Sequence, residues 1–169
     1  MPVINITSGK LRVTDPCYNR DYNTTPGLVT VLDVPVGEWV VEGGPEEGRI
    51  SIYRRDVSVT RRHPVSNIGV DSGQVCFADD SQYPVGDIGD YGDLNSFYGR
   101  VCRLTLNEDT EGRESGVLED WCFASSTSYG DGTYPVEVGY SADDEVASVT
   151  VLFGDEDDEE YWGDEEDEW

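Results

Sequence analysis

Apolar and polar residues alternate along most of the chain, and Gly, Pro, Asn and Asp break the alternation at short intervals. A period of two sends successive side chains to opposite faces, so the pattern predicts short strands joined by turns. The predicted strands cover residues 3–6, 10–14, 28–34, 38–42, 49–54, 57–61, 68–78, 116–125, 134–140 and 146–153. Residues 34–39, Val-Pro-Val-Gly-Glu-Trp, make a turn between two of them, with Trp39 packing inward.

One segment departs from that period. Leu94, Phe97, Tyr98, Val101 and Leu104 recur at spacings of three and four, with Arg100 and Arg103 on the opposite side and Asp93 placed to cap the first turn. This predicts one amphipathic helix covering a sheet, although residues 100–106 also alternate well enough for a strand. No repeat of solenoid or propeller length is visible. The expected architecture is mainly β (α+β), an antiparallel sandwich or partly open barrel with one covering helix. It occupies residues 1–153 as a single domain.

From Gly154 the composition changes to a tail of Asp and Glu interrupted by Tyr161, Trp162 and Trp169. Such charge density cannot bury enough apolar area to offset chain entropy, so residues 154–169 read as a flexible acidic tail. Three large aromatics are unusual in a purely solvating tail, and acid with interleaved aromatics suits docking on a basic partner surface.

The tail sharpens a charge bias that the whole chain shares. The 169 residues carry 36 acidic and 11 basic side chains, a net charge of −25, and 11 of the carboxylates lie beyond Gly154. Simple electrostatic attraction to nucleic acid or to an anionic membrane is thereby excluded. No apolar run has the length of a membrane span, and residues 1–13 lack the pattern of a signal peptide. A soluble protein of the cytoplasm, or of a host's cytoplasm if viral, is expected. Lys10 is the only lysine among the basic residues, which fits either a salt-rich cytoplasm or a GC-rich genome.

Cys17, Cys76, Cys102 and Cys122 form no Cys-x-x-Cys pair, and His63 is the only histidine, so neither a zinc site nor another cofactor is indicated. The last three cysteines sit in apolar stretches and read as small core hydrophobes.

Three polar segments are candidates for chemistry. Thr14-Asp15-Pro16-Cys17-Tyr18 follows a strand, and its Asp-Pro turn presents carboxylate, thiol and phenol together. A nucleophilic thiol needs a histidine or cationic neighbour, which argues against Cys17 catalysis. Val70-Asp71-Ser72-Gly73-Gln74 lies inside a strand-like run, where Gly73 marks a bulge that places Asp71 and Gln74 on a distorted edge. Ser125 to Tyr134 brings small hydroxyls, including Ser126, to a Gly130-Asp131-Gly132 turn, with Tyr129 and Tyr134 walling a shallow polar pocket. Each segment also has a purely structural reading as a turn, bulge or hairpin.

Taken in order, Thr-Asp-Pro-Cys-Tyr, Val-Asp-Ser-Gly-Gln and Ser-Ser-Thr-Ser-Tyr-Gly-Asp-Gly-Thr-Tyr resemble the motifs of a group of small bacterial and phage proteins of unknown function. The resemblance spans about residues 8–138 and implies a β-rich fold and a bacterial or phage source. Thr127-Ser128 stands where that group's pattern has Ser-Gly.

Weaker signals complete the survey. Asp87, Asp90 and Asp93 recur every three residues, unlike the alternate ligands of a helix-loop-helix calcium site. Arg55 and Arg61 would share a face across residues 56–60 and meet phosphate or the chain's own tail. The leading expectation is a non-enzymatic binding protein that sequesters a small polar ligand or blocks a host defence factor. Its contacts would be Asp15, Tyr18, Asp71, Gln74, Ser126, Tyr129, Asp131 and Tyr134. One alternative is an acidic mimic of nucleic acid that occupies a nucleic-acid-binding protein through Tyr161, Trp162 and Trp169. Another is a hydrolase holding a divalent metal with Asp15, Asp71 and Asp131. The oligomeric state is open, since strand edges allow pairing while the charge favours a monomer.

Overall fold

The computed structural model describes residues 2–18, 20, 27–90, 92–106 and 114–154. In chain order the elements are β1 (Val3–Ile6), β2 (Lys10–Thr14), β3 (Thr30–Asp33), β4 (Gly37–Gly44), a 3-10 turn (Pro45–Glu47), β5 (Arg49–Tyr53), β6 (Arg61–Val70) and β7 (Gln74–Asp79). They continue with α1 (Phe97–Thr105), β8 (Ser115–Leu118), β9 (Cys122–Ser126), β10 (Gly132–Tyr140) and β11 (Val146–Leu152). The strands form a six-stranded sheet ordered β1-β4-β5-β11-β10-β6 and a five-stranded sheet ordered β3-β2-β7-β9-β8. Every pairing is antiparallel. Neither sheet closes on itself, so of the two predicted architectures the protein is a sandwich with one helix and not a barrel.

Alternation explains the packing. Ile50 and Ile52 on β5, Val149 and Val151 on β11, and Val136 and Val138 on β10 point inward and meet Leu11, Val13, Val75, Phe77 and Phe123 of the other sheet. Phe77 and Phe123 stack with ring centroids 6.4 Å apart. Trp39 is buried, as its turn predicts. Each such side chain contributes roughly 1.5–3 kcal/mol of burial free energy, and the continuous core between the sheets holds the sandwich together.

The second face of the five-stranded sheet carries small residues, Cys76, Ala78, Cys122 and Ala124, and α1 packs there through Val101 and Cys102. Small side chains give the helix room to approach, and Tyr83, Phe97 and Trp121 fill its border. All four cysteines are free thiols, and the three predicted as core residues are buried. No helix among the described residues is long and apolar enough to cross a membrane.

Four predicted elements differ from those observed. The helix starts at Phe97, and its N-cap is Ser96, whose Oγ accepts the Gly99 amide at 3.1 Å. Asp93 instead closes a preceding turn by accepting the Asn95 amide at 3.0 Å, and Leu94 lies outside the helix, half exposed. Gly99 permits this, because a Cβ there would stand 2.0 Å from the Asp93 carbonyl oxygen. Residues 57–60 are not strand, and the run 116–125 folds into β8 and β9 about a turn with Glu119 at φ 55°. The run 68–78 is two strands in different sheets. Asp71-Ser72-Gly73 is the corner between them, where continuous apolar patterning on either side conceals a change of sheet.

Candidate functional site

The Asp-Pro turn leaves the end of β2 and places Asp15 in full burial. Its Oδ1 accepts the Cys17 amide at 2.8 Å and the Ser72 hydroxyl at 2.6 Å, while Oδ2 accepts the amides of Asp71 and Ser72, each at 2.7 Å. One carboxylate therefore closes its own turn and holds the corner between β6 and β7. Four donors compensate the desolvation of its charge.

A third segment joins this pair. Gly73, at φ 73°, offers its carbonyl to the Thr127 amide at 2.9 Å, and its Cα neighbours include Gly130 and Asp131 of the β9–β10 connection. Within that connection the Thr127 hydroxyl and the Tyr134 phenol both donate to the Gly130 carbonyl, at 2.7 and 2.8 Å. Gln74 Nε2 reaches Thr105 Oγ1 on α1 at 2.5 Å, and the Ser126 hydroxyl donates to the Thr105 carbonyl at 3.1 Å. All three motifs and the end of the helix thus meet at one end of the sandwich.

Their meeting leaves an open cleft of about 580 Å³, lined by Tyr18, Leu28, Asp71, Asp131, Gly132 and Thr133. Comparison with protein families, with curated proteins and with solved structures found no match. The geometry of the cleft therefore carries the functional argument.

Of the expected contacts, Tyr18, Asp71 and Asp131 line the cleft. The Tyr18 phenol donates to Asp71 Oδ2 at 2.5 Å. Burial raises the Tyr18 pKa first and the bond to Asp71 adds to it, so the phenol stays protonated as a donor. Asp15, Gln74 and Ser126 are buried beneath the cleft and hold its walls. Tyr134 does not wall the cleft either: its ring packs edge-on against Phe153, 5.4 Å away, in the core between the sheets. Tyr129 is partly exposed on the same connection without lining the cleft. Tyr161, Trp162 and Trp169 lie outside the described residues.

Leu28 is the lining residue that the sequence motifs do not contain. Its side chain lies over Gly69, where a Cβ would stand 2.4 Å from Leu28 Cδ2, and its carbonyl accepts the Gly69 amide at 3.1 Å. A glycine inside the predicted strand was the available signal of such a close approach.

The chemistry of the groups is as informative as their positions. Burial pushes the Cys17 thiol pKa well up and the neighbouring Asp15 charge pushes it further, so Cys17 is not held as a thiolate. Asp15 spends both oxygens on protein donors, and no three His, Cys, Asp or Glu among the described residues are arranged to hold a metal ion. Asp15, Asp71 and Asp131 are therefore not the ligand set a metal hydrolase would need. Asp87 accepts the Gly89 amide at 2.8 Å in a turn of its own, as Asp93 does in the next, which accounts for the three-residue spacing without calcium. Arg55 pairs with Glu38 at 3.4 Å and Arg61 pairs with Asp144, so they do not converge on a phosphate.

Proposed function

We propose that this protein is a binding module that holds a small polar ligand in the cleft between the three turns. The observation that carries this reading is the use of Asp15. A fully buried carboxylate fixes two distant segments, and Tyr18 and Asp71 face outward from the segments so held.

The cleft is matched to a particular kind of ligand. Asp71 and Asp131 supply carboxylate acceptors, Tyr18 and Thr133 supply hydroxyls, and Leu28 supplies the apolar flank. A compact ligand bearing an ammonium, guanidinium or several hydroxyl donors satisfies that set. The same surroundings do not favour covalent chemistry, because the adjacent thiol is kept protonated and the buried carboxylate is fully engaged.

Native mass spectrometry of the full chain purified from its own cells tests the reading. The wild-type protein is expected to retain a small molecule that Asp71→Asn with Asp131→Asn releases, while both proteins keep the same circular dichroism spectrum. A wild-type protein that carries nothing, or a ligand that survives both substitutions, overturns it.

A further inference from the structure

The outer face of the six-stranded sheet holds a second cavity of about 560 Å³, remote from the turns and independent of the reading above. Strand alternation builds its floor. On β11 the residues Ala147, Val149 and Val151 point into the core, so Ser148, Thr150 and Leu152 point outward. Ser51 on β5 stands opposite Thr150, and their hydroxyls are 2.9 Å apart.

Three observations mark this floor as a site. First, Ser148 Oγ is buried and has no hydrogen-bond partner among the described residues. Ser148 as a whole is 7 % exposed, and a buried hydroxyl left unpaired is destabilising unless something else meets it. Second, Gly139 faces Ser148 across the β10–β11 pairing, and a Cβ at that position would stand 2.2 Å from Ser148 Oγ and 2.9 Å from Val59 Cγ1. The absence of a side chain keeps the space above the hydroxyl narrow but open. Third, the rim carries Arg49, Arg62, Glu42 and Glu137, and none of these takes part in an ion pair among the described residues.

The third observation decides the ligand class. In a chain with 36 acidic residues, an arginine readily finds a carboxylate, and Arg12, Arg54, Arg55, Arg61 and Arg100 each have one. The rim instead holds two separate positive and two separate negative groups around a floor of hydroxyls. Their charges balance, so a strongly anionic or cationic ligand would meet repulsion as well as attraction. A ligand whose groups both donate and accept satisfies guanidinium, carboxylate and hydroxyl together. Tyr53 adds an aromatic body with a polar tip beside them. The rim reaches from β4 to β6, five strands at about 4.8 Å spacing, which suits an elongated occupant.

We propose that this face is a binding site for a neutral oligosaccharide lying across β5, β11 and β10. The sugar hydroxyls exchange hydrogen bonds with the Arg and Glu rim, and one of them meets Ser148.

The test is titration of the full chain with maltotriose, cellotriose and chitotriose, followed by the amide resonances of β5, β10 and β11. Inorganic phosphate and hexaglutamate serve as anionic probes. At least one trisaccharide is expected to bind at about 1 mM or tighter, with shifts confined to those strands. The exposed-rim variants Arg62→Gln and Glu137→Gln are expected to weaken it roughly tenfold each, with an unchanged melting temperature. Ser148→Ala is expected to weaken binding while leaving the fold intact. The proposal is overturned if no trisaccharide shifts these amides, if the three variants bind as the wild type does, or if phosphate or hexaglutamate binds the face more tightly than every sugar.

Discussion

The amide of Thr127 donates to the carbonyl oxygen of Gly73 across 2.9 Å, and this bond joins two of the places where the chain passes from one sheet to the other. The β6–β7 corner and the β9–β10 connection are thereby held side by side. The cleft exists because both corners are fixed at once.

Asp15→Asn tests how much of this depends on one carboxylate. An amide would replace an acceptor oxygen by a donor that faces backbone N–H groups, leaving buried groups unpaired. The variant is expected to lose about 2–4 kcal/mol in urea unfolding, since it breaks a fully buried charge-assisted network.

Gly73→Ala separates conformation from crowding. The nearest atom to a Cβ there is Gly130 Cα at 3.9 Å, ordinary contact, so the expected loss of about 1–2 kcal/mol comes from the left-handed backbone alone. At Gly43, also left-handed, a Cβ would stand 2.3 Å from the Arg49 carbonyl oxygen. Chemical denaturation of Gly43→Ala should therefore show a larger loss than Gly73→Ala.

Cys17 gives a chemical readout of the same corner. Its thiol pKa is raised by burial and by Asp15, so reaction with iodoacetamide should lag that of an unperturbed thiol by tenfold or more near pH 8. The rate should climb only at more alkaline pH. A rate equal to that of a free thiol, lost in Cys17→Ser, would show that the corner opens in solution.

Asp79 predicts part of the acid limb of stability. Burial acts to raise its pKa, but hydrogen bonds from Ser8, Thr7 and Ser81 outweigh it and the net shift is downward. A carboxylate with a depressed folded pKa stabilises the fold above its unfolded pKa, about 3.9, and loses that contribution as pH falls through the folded value. Asp79→Asn should be less stable than wild type at pH 7, and the difference should shrink below about pH 3. Urea midpoints measured across that range provide the check.

Much of the sandwich was legible in the alternation. Ile50 and Ile52, or Val149 and Val151, declare the inward face of their strands without any knowledge of the partner strand. What the pattern hid were changes of sheet. Val70 and Val75 continue an apolar run across Asp71-Ser72-Gly73, and only the pairing of β6 with β10 and of β7 with β2 and β9 reveals the corner. The start of α1 was misplaced for a related reason. Asp93 and Ser96 are both good capping residues, and the choice fell to Ser96 because the 93–96 turn packs against Gly99.

The site was legible as three motifs and not as a geometry. Asp15 was visible as a special residue, yet its burial depends on donors from residues 71 and 72, more than fifty positions away. Arg12 and Asp80, paired at 2.8 Å with both side chains mostly buried, left no local signal at all. Ser148 could not be distinguished from any other strand serine until Gly139 was placed opposite it.

The position of β11 also bears on how the chain is made. The last strand in sequence lies in the interior of the six-stranded sheet, with β5 on one side and β10 on the other. Ile52 must wait for Val149, nearly a hundred residues later, before its strand gains that neighbour. During synthesis β5 and β10 each present an unsatisfied edge until the final stretch emerges from the ribosome. Chaperone dependence and premature aggregation should therefore concentrate in that interval, and nascent chains stalled before residue 146 should be the species most readily captured by holdases.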